Sequence, residues 1–592
     1  MEKRKRIITL LIFLLGIFLG AMDSGIVSPA RTVINNSFGI DSSFGVWMIT
    51  IYTLAYAVSM PIVSKLSDKY GRKKVYLLSI IIFAIGSTLC GLTNFYGNYT
   101  TFLLARVIQA LGGGGIVPIA TALIGTSFPP EKRGTALGFV GSIYGIATIL
   151  GPTLGSAILN IAGSNHWGWL FFINLPISIL ILSLGGFLEE SRGTANKKMD
   201  LSGSIIVSII ILSIMYSFTN LNFFNFKNSI KSNSVWPFLL LFILFIPVFI
   251  FIEKNAADPI MNLKYFKEKN IALTLVLSFL TGCGLMGVVF VPQFAENCLK
   301  LKSGSGGYLV TLMAVFSGIS APLGGKIIDK FSAKLVIAMG FSCTTIGTLF
   351  SAFYVFTHPS FISILIGLAF IGLGMGFTMG TPLNYLILSY VDNNESASAL
   401  STLSLIRSIG VTISPNIMIN FIANAGKNVQ STVMAAMPKL NPPSIPGMGN
   451  IPSMPSAFNM SSMTSSSSIS SSAIEKLKSA DVTTIVNVIK DFMSNILDKA
   501  IPQIKLGITS GIDSAVKSLP DGIASIIKNF DVNGFLQNWK NTYLNDIEKH
   551  RVSIEKVFQA TLNAGFKNMF IAAGIIAIIG LLITFFLPKK DL

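Results

Sequence analysis

Apolar runs of about 20 residues recur along almost the whole chain, separated by short polar breaks. They begin near Ile7, Phe44, Val75, Phe102, Gly134, Trp167, Leu201, Val235, Ile271, Gly307, Lys334, Phe361, Ser396 and Asn568. Each is long enough to cross a bilayer core as a helix, the form in which one segment satisfies all its own backbone hydrogen bonds. The pattern predicts fourteen transmembrane helices in an all-α polytopic membrane protein. The first run follows a basic stretch, as a secretory signal would. No small-residue cleavage site follows it and the pattern continues past Asp23, so it reads as a span.

One segment, 424–567, breaks the rhythm. Positions 434–463 are rich in Pro, Met and Ser, and 461–472 are nearly all Ser, a composition that reads as linker. Helical periodicity then returns in three stretches. These are Ile474, Leu477, Ile485, Val488, Phe492 and Ile496; Ile501, Ile504, Ile508, Ile512 and Val516; and Phe535, Trp539, Tyr543 and Ile547. Amphipathic helices of this kind can pack on one another, lie on a membrane surface, or cap a transporter mouth.

Only 12% of the 592 residues are charged, against about 25% in soluble chains, which excludes a soluble enzyme and a disordered chain. The net charge of +18 is not a nucleic-acid footprint, because the cations sit in short clusters between apolar runs. Lys and Arg fall roughly fourfold more often in one set of alternate loops, which predicts both termini in the cytoplasm and 424–567 outside the cell membrane. Cys90, Cys283, Cys298 and Cys343 show neither metal spacing nor a disulfide framework.

The stretch S-K-L-S-D-K-Y at 64–70 returns as G-K-I-I-D-K-F at 325–331, an offset of 261. T-A-L at 135–137 returns as S-A-L at 398–400, and Pro152 as Pro415, an offset of 263. Two matches at nearly one offset imply a duplicated unit of six helices with two helices between the copies. The expected division is a first bundle at 1–190, a linking helix pair at 191–262, five helices of the second bundle at 263–423, the insert at 424–567, and a last helix with its tail at 568–592. Parallel halves of this kind bind substrate near the midplane and alternate access by rocking.

No catalytic constellation, metal set, cofactor motif or nucleotide-binding loop is present, so the chain reads as a non-enzyme without an ATP engine of its own. Ionisable residues inside spans are costly and mark function. Asp23 heads the candidates, since burial disfavours the charged carboxylate and suits a proton carrier or a cation site. A plainer use would be a structural hydrogen bond. Arg106 could hold a partner carboxylate; Arg407 and Glu296 are further candidates for proton coupling or substrate contact. Gly151 and Pro152 mark a kinked helix, and Gly141, Gly145, Gly151 and Gly155 allow close backbone approach, as expected at the seam between the halves.

These residues resemble the major facilitator superfamily, specifically its fourteen-helix drug:proton antiporters of the EmrB/QacA type. The loop signature G-x-L-a-D-r-x-G-r-k-x is similar to 64–74, with Asp68, Gly71, Arg72 and Lys73 in place and Ser64 for the first Gly. Asp329 is the matching acid of the second half. The first-helix signature survives in weakened form around Asp23. R-x-x-q-G-x-g resembles 106–112, G-P-x-x-G-G resembles 151–156 with Gly151, Pro152 and Gly155 kept, and W-R-W-i-F-x-i-N-x-P resembles 167–176. The resemblance implies the major facilitator fold: two six-helix bundles plus two extra helices, here with an extracytoplasmic helical insert. It implies a proton-driven exporter of small amphipathic drugs or metabolites, with the lipid bilayer as its setting and no nucleic acid as partner. It also implies that Asp68 meets a helix N-terminus of the opposite half and that Arg72 pairs with acidic neighbours. A lipid or lipid-linked-sugar translocase, or a non-transporting sensor working through the insert and a cell-envelope partner, would suit the same scaffold.

Overall fold

The computed structural model describes residues 2–27, 29–40, 45, 47–96, 98–190, 200–222, 225–256, 259–285, 290–291, 294–295, 298–299, 307–379, 381–392, 395–440, 485–516 and 530–588. Among these the chain is helical, with no strand. Twelve helices are long and apolar enough to cross a membrane, and those over Ile8–Asp23 and Lys269–Gly284 are apolar but shorter. A helix lies on each of the fourteen apolar runs.

The chain divides into two compact units. The first comprises Met1–Pro292, Gly306–Phe421 and Lys567–Leu592; the second comprises Gln293–Ser305 and Ile422–Phe566. In the first unit the N-terminal half contains α1 (Glu2–Ile26), α2 (Trp47–Tyr70), α3 (Arg72–Tyr96), α4 (Tyr99–Ser127), α5 (Pro130–Ala162) and α6 (Trp169–Phe187). Next come α7 (Leu201–Asn220) and α8 (Trp236–Asn255). They dock on α2 through Val207, Ile211, Met215 and Phe249 against Leu54, Ala57 and Met60. Much of the rest of α8 is apolar and exposed, as at Ile243 and Phe251, which suits a lipid-facing surface, while Glu253 near its end is buried. The second half follows with α9 (Lys269–Gly284), α10 (Gly307–Lys330), α11 (Ala333–Phe350), α12 (Phe361–Thr378), α13 (Thr381–Ser389), α14 (Ser396–Ala436) and, beyond the insert, the apolar part of α15 (Arg551–Thr584).

The halves meet along α5 and α10, where small residues bring two backbones together. A Cβ on Gly325 would lie 2.4 Å from the Gly134 carbonyl, and one on Gly138 3.0 Å from that of Ala321. Ser142 Oγ donates to the Gly318 carbonyl at 2.8 Å. Gly151 and Gly155 correct the expectation for the kinked helix. They face α1 of their own half: their Cβ positions fall 2.6 Å from the Met22 carbonyl and 2.4 Å from that of Ile26. Pro152 likewise meets Gly25 of α1. The seam to the other half belongs to Gly134, Gly138, Gly141 and Gly145.

The second unit is a helical bundle with its own core. The start of the expected linker is not linker: α14 runs on to Ala436, and Met437 packs in the bundle core with Leu440 against it, because these apolar residues have a core to bury in. Residues 441–484, with Ile474 and Leu477, lie outside the described residues. The remaining periodic positions to Val516 form one helix, Ile485–Val516, that runs through Pro502. Its buried stripe is Ile485, Val486, Ile489, Met493 and Leu497, with Val488, Phe492 and Ile496 turned partly outward. Opposite it, Leu536, Tyr543 and Ile547 are buried on helix Val532–Lys549. Both α14 and α15 contribute to this unit as well as to the first, as with Val433 at one end and Ile554 and Phe558 at the other. Lys540 Nζ reaches Asp498 at 2.6 Å. Glu548 accepts from Arg551 and Lys490, which pull its pKa down to about 2. Its contribution is present above the ordinary value of 4.5 and is lost as pH falls toward about 2.

Burial ranks these contacts. Leu536→Ala should destabilise the bundle by about 2–5 kcal/mol, and Lys540→Ala by less than about 1 kcal/mol because Asp498 is half exposed and rehydrates. Amide hydrogen exchange over 485–516 in the full chain measures both, and equal protection in the two variants would contradict the ranking.

Candidate functional site

Asp23 and Arg106 meet in the interior of the N-terminal half. Asp23 is fully buried and Arg106 is 2% exposed. Arg106 Nη1 donates to Asp23 Oδ2 at 3.2 Å. The other carboxylate oxygen accepts from Gln109 Nε2 at 2.7 Å and from Asn174 Nδ2 at 2.9 Å. Gln109 also accepts from Arg106 Nη1 at 2.6 Å, so one amide bridges the two charges. Ser87 Oγ accepts from Gln109 at 2.7 Å and from Asn174 at 3.2 Å. Helices α1, α4 and α6 therefore meet at a single carboxylate, and α3 joins them through Ser87. Glycine makes the convergence possible: a Cβ on Gly86 would fall 2.3 Å from the Gln109 backbone nitrogen, so α3 and α4 touch at the level of Ser87 and Gln109.

Sequence reading singled out Asp23 and Arg106 but neither Gln109, Asn174 nor Ser87. Gln109 and Asn174 stand inside the 106–112 and 167–176 signatures, which was the available signal; Ser87 carried none.

The Arg106 guanidinium also lies over the Tyr52 ring at 3.9 Å, and Tyr52 stacks on Tyr56 with ring centroids 5.9 Å apart. Arg407 is 8% exposed and sits apart from the Asp23 cluster, in a small cavity between the halves that Tyr144 and Asn384 also line. Glu296 lies outside the described residues.

The gate residues form two arms, each a carboxylate near a helix N-terminus of the opposite half. Asp68 Oδ2 accepts from the Ser398 backbone N–H at 3.1 Å and from its Oγ at 2.9 Å, at the start of α14. Asp329 accepts from the backbone N–H groups of Gly134 and Thr135, each at 2.9 Å, and from the Thr135 hydroxyl, in the second turn of α5. The first arm uses the unpaired donors of a helix start, and both lie near the partial positive charge of a helix N-terminus. Among the described residues a cation pairs with the first arm: Arg72 Nη2 donates to Asp68 Oδ1 at 3.0 Å and to Ser396 Oγ at 2.6 Å. The equivalent position of the second half is Ala333. Gly71 turns between α2 and α3 with φ +112°, where Glu190 occupies the space of a side chain. Glu190 accepts from the Lys73 backbone N–H at 3.1 Å, and Lys73 Nζ caps the Leu188 carbonyl at 2.6 Å.

Residues 13–415 match the family model described as Major Facilitator Superfamily. The chain belongs to that superfamily. It is 39% identical over 418 residues to the uncharacterized MFS-type transporter YfiU of Bacillus subtilis (strain 168), covering 69% of this chain and 79% of that one. It is 31% identical over 427 residues to multidrug resistance protein 3 of the same organism, covering 72% and 81%. In fold it is similar to the proton:xylose symporter XylE bound to 6-bromo-6-deoxy-D-glucose, with a TM-score of 0.52 at 15% identity over 73% of this chain and 91% of that one. This facilitator-superfamily chain is a membrane transporter, and its two arms join the two halves at one end of the fold.

The arms should differ in strength. Asp68→Asn leaves Arg72 buried without its carboxylate, a loss of about 3–5 kcal/mol. Asp329→Asn weakens hydrogen bonds to a charged group, a loss of about 1.5–3 kcal/mol. A spin-label distance across the arms should therefore shift toward separated halves in both variants, and further in Asp68→Asn. No shift in either, or a larger one in Asp329→Asn, would contradict this account of the arms.

Proposed function

We propose that the chain is a proton-driven exporter of small amphipathic molecules, with Asp23 as the group that takes and releases the proton. The buried Asp23–Arg106 pair carries this reading. With Asp23 charged, the two charges compensate each other in a dry interior. With Asp23 protonated, Arg106 is left as an uncompensated buried cation, which is unfavourable by several kcal/mol. Proton uptake therefore favours a rearrangement that re-solvates or re-pairs Arg106, and this is how a proton gradient would do work on the fold. The likeness to multidrug resistance protein 3 supports export of amphipathic compounds.

In this reading the chain sits in the cell membrane with fourteen spans, both termini and the two arms at the cytoplasmic face, and the second unit outside. The arms then close the inner side. The insert is accessory, a surface for the outer vestibule or for a cell-envelope partner, and carries no part of the proton path.

Efflux into inverted vesicles, with a panel of dyes and with or without an imposed proton gradient, tests the proposal. Wild-type transport should require the gradient. Asp23→Asn, which cannot titrate, should insert normally and lose gradient-driven transport by at least about a hundredfold, the low end of what positioned proton transfer contributes. Replacing 427–555 by a short Gly/Ser linker should preserve it. Full gradient-driven efflux by Asp23→Asn would reject the role of Asp23, and a correctly inserted but inactive linker variant would reject the accessory role of the insert.

A further inference from the structure

Among the described residues, two of the buried carboxylates in the first unit have a buried arginine, while Glu253 accepts from the Ile260 and Met261 backbone N–H groups instead. Asp23 has Arg106, and Asp68 has Arg72. Arg407 is the buried cation left over: its recorded contacts are the Ser404 hydroxyl at 3.3 Å and the Tyr144 ring at 5.8 Å, and no carboxylate among the described residues pairs with it. A hydroxyl and an aromatic face do not neutralise a guanidinium removed from water. The small exposed part of Arg407 opens into the cavity between the halves. That cavity is shared by Tyr144 from α5, Asn384 from α13, Ser404 from α14, and the apolar side chains of Val117 and Met379. A second, independent signal lies in the same cavity: Asn384 is 4% exposed, and its buried carboxamide oxygen has no hydrogen-bond partner. A buried acceptor left empty is as unfavourable as a lost hydrogen bond, so it calls for a donor from elsewhere. Helix α12 stops at Thr378, Met379 is extended, and α13 resumes at Thr381, a break of the kind that lines transporter binding sites.

We propose that Arg407 is the anion-recognising group of the central cavity and that the transported molecule is an amphipathic acid. Such a molecule has an apolar or aromatic body, one anionic group for Arg407, and a hydroxyl or N–H donor for Asn384. This rests on the transport reading above and names its substrate class. The anion supplies the missing negative charge, Tyr144 and the apolar wall take the body, and the guanidinium offers two parallel donors to a carboxylate.

The test uses the full chain in nanodiscs and two xanthene dyes of opposite charge, anionic fluorescein and cationic rhodamine 6G, with binding read by fluorescence anisotropy. Fluorescein should bind wild type at least about tenfold more tightly than rhodamine 6G, as charge-assisted hydrogen bonding implies. Arg407→Gln should weaken fluorescein by about tenfold without weakening rhodamine 6G. Arg407→Lys should keep the greater part of the preference, and Asn384→Asp, which adds a competing carboxylate, should reduce it. A wild-type preference for rhodamine 6G, no preference at all, or equal weakening of both dyes in Arg407→Gln would overturn the proposal. Binding needs no gradient, so the two readings separate. Charge preference without gradient-driven efflux keeps the site and rejects proton coupling, whereas gradient-driven efflux without charge preference does the reverse.

Discussion

A carboxylate and a guanidinium buried together in a low-dielectric interior cannot be separated cheaply, and the N-terminal half is built around one such pair. Asp23 and Arg106 come from different helices; Gln109 on Arg106's own helix and Asn174 on a third bond the carboxylate, and Ser87 on a fourth accepts from both amides. Removing one partner of a pair like this destabilises by about 3–5 kcal/mol, a large share of any domain's stability. The four helices are thereby held in one register, with α3 and α4 in close backbone contact at Gly86.

The contacts between the halves are of another kind. Each arm is a carboxylate near a helix start, where the helix dipole adds about 0.3–1 kcal/mol and each hydrogen bond to the charge about 1.5–3 kcal/mol. Water can replace those donors once the arm opens, which it cannot do for Arg106 inside its half. Access to water is what separates the two: the arms rehydrate as they part and the Asp23–Arg106 pair does not, so the joint can open while each half stays whole. The joint is also uneven, since Arg72 strengthens one arm and Ala333 stands at the matching place in the other.

Much of this was legible in the residues. The apolar runs located the helices, and the two repeat matches located the joint. Asp68 and Asp329 belong to one match, Thr135 and Ser398 to the other, and in the structure they bond crosswise: Asp68 to Ser398 and Asp329 to Thr135. A polar motif kept in both copies against an apolar background had a contact to preserve. Asp23 and Arg106 stood out because charge within an apolar run is costly. Ser87 did not, because a serine there is indistinguishable from one bonding its own helix, as Thr88 does to the Ala84 carbonyl. The seat of Gly151 and Gly155 was misplaced because small-residue spacing shows that a backbone comes close without showing which one. In the insert Ile485 is buried as expected, but the stripe that follows, Ile489, Met493 and Leu497, is offset by one residue from the expected Val488, Phe492 and Ile496. Both sets have helical spacing, and only the partner helix decides between them.

The central claim is that Asp23 exchanges its proton as the transporter changes state. Proton exchange on fluorescein binding, followed in weakly buffered solution at several pH values, measures this directly. Wild type should take up or release a proton in a pH-dependent way, and Asp23→Asn should bind the dye with no exchange above the buffer background. Equal proton exchange in wild type and Asp23→Asn would place the coupling group elsewhere and contradict the account.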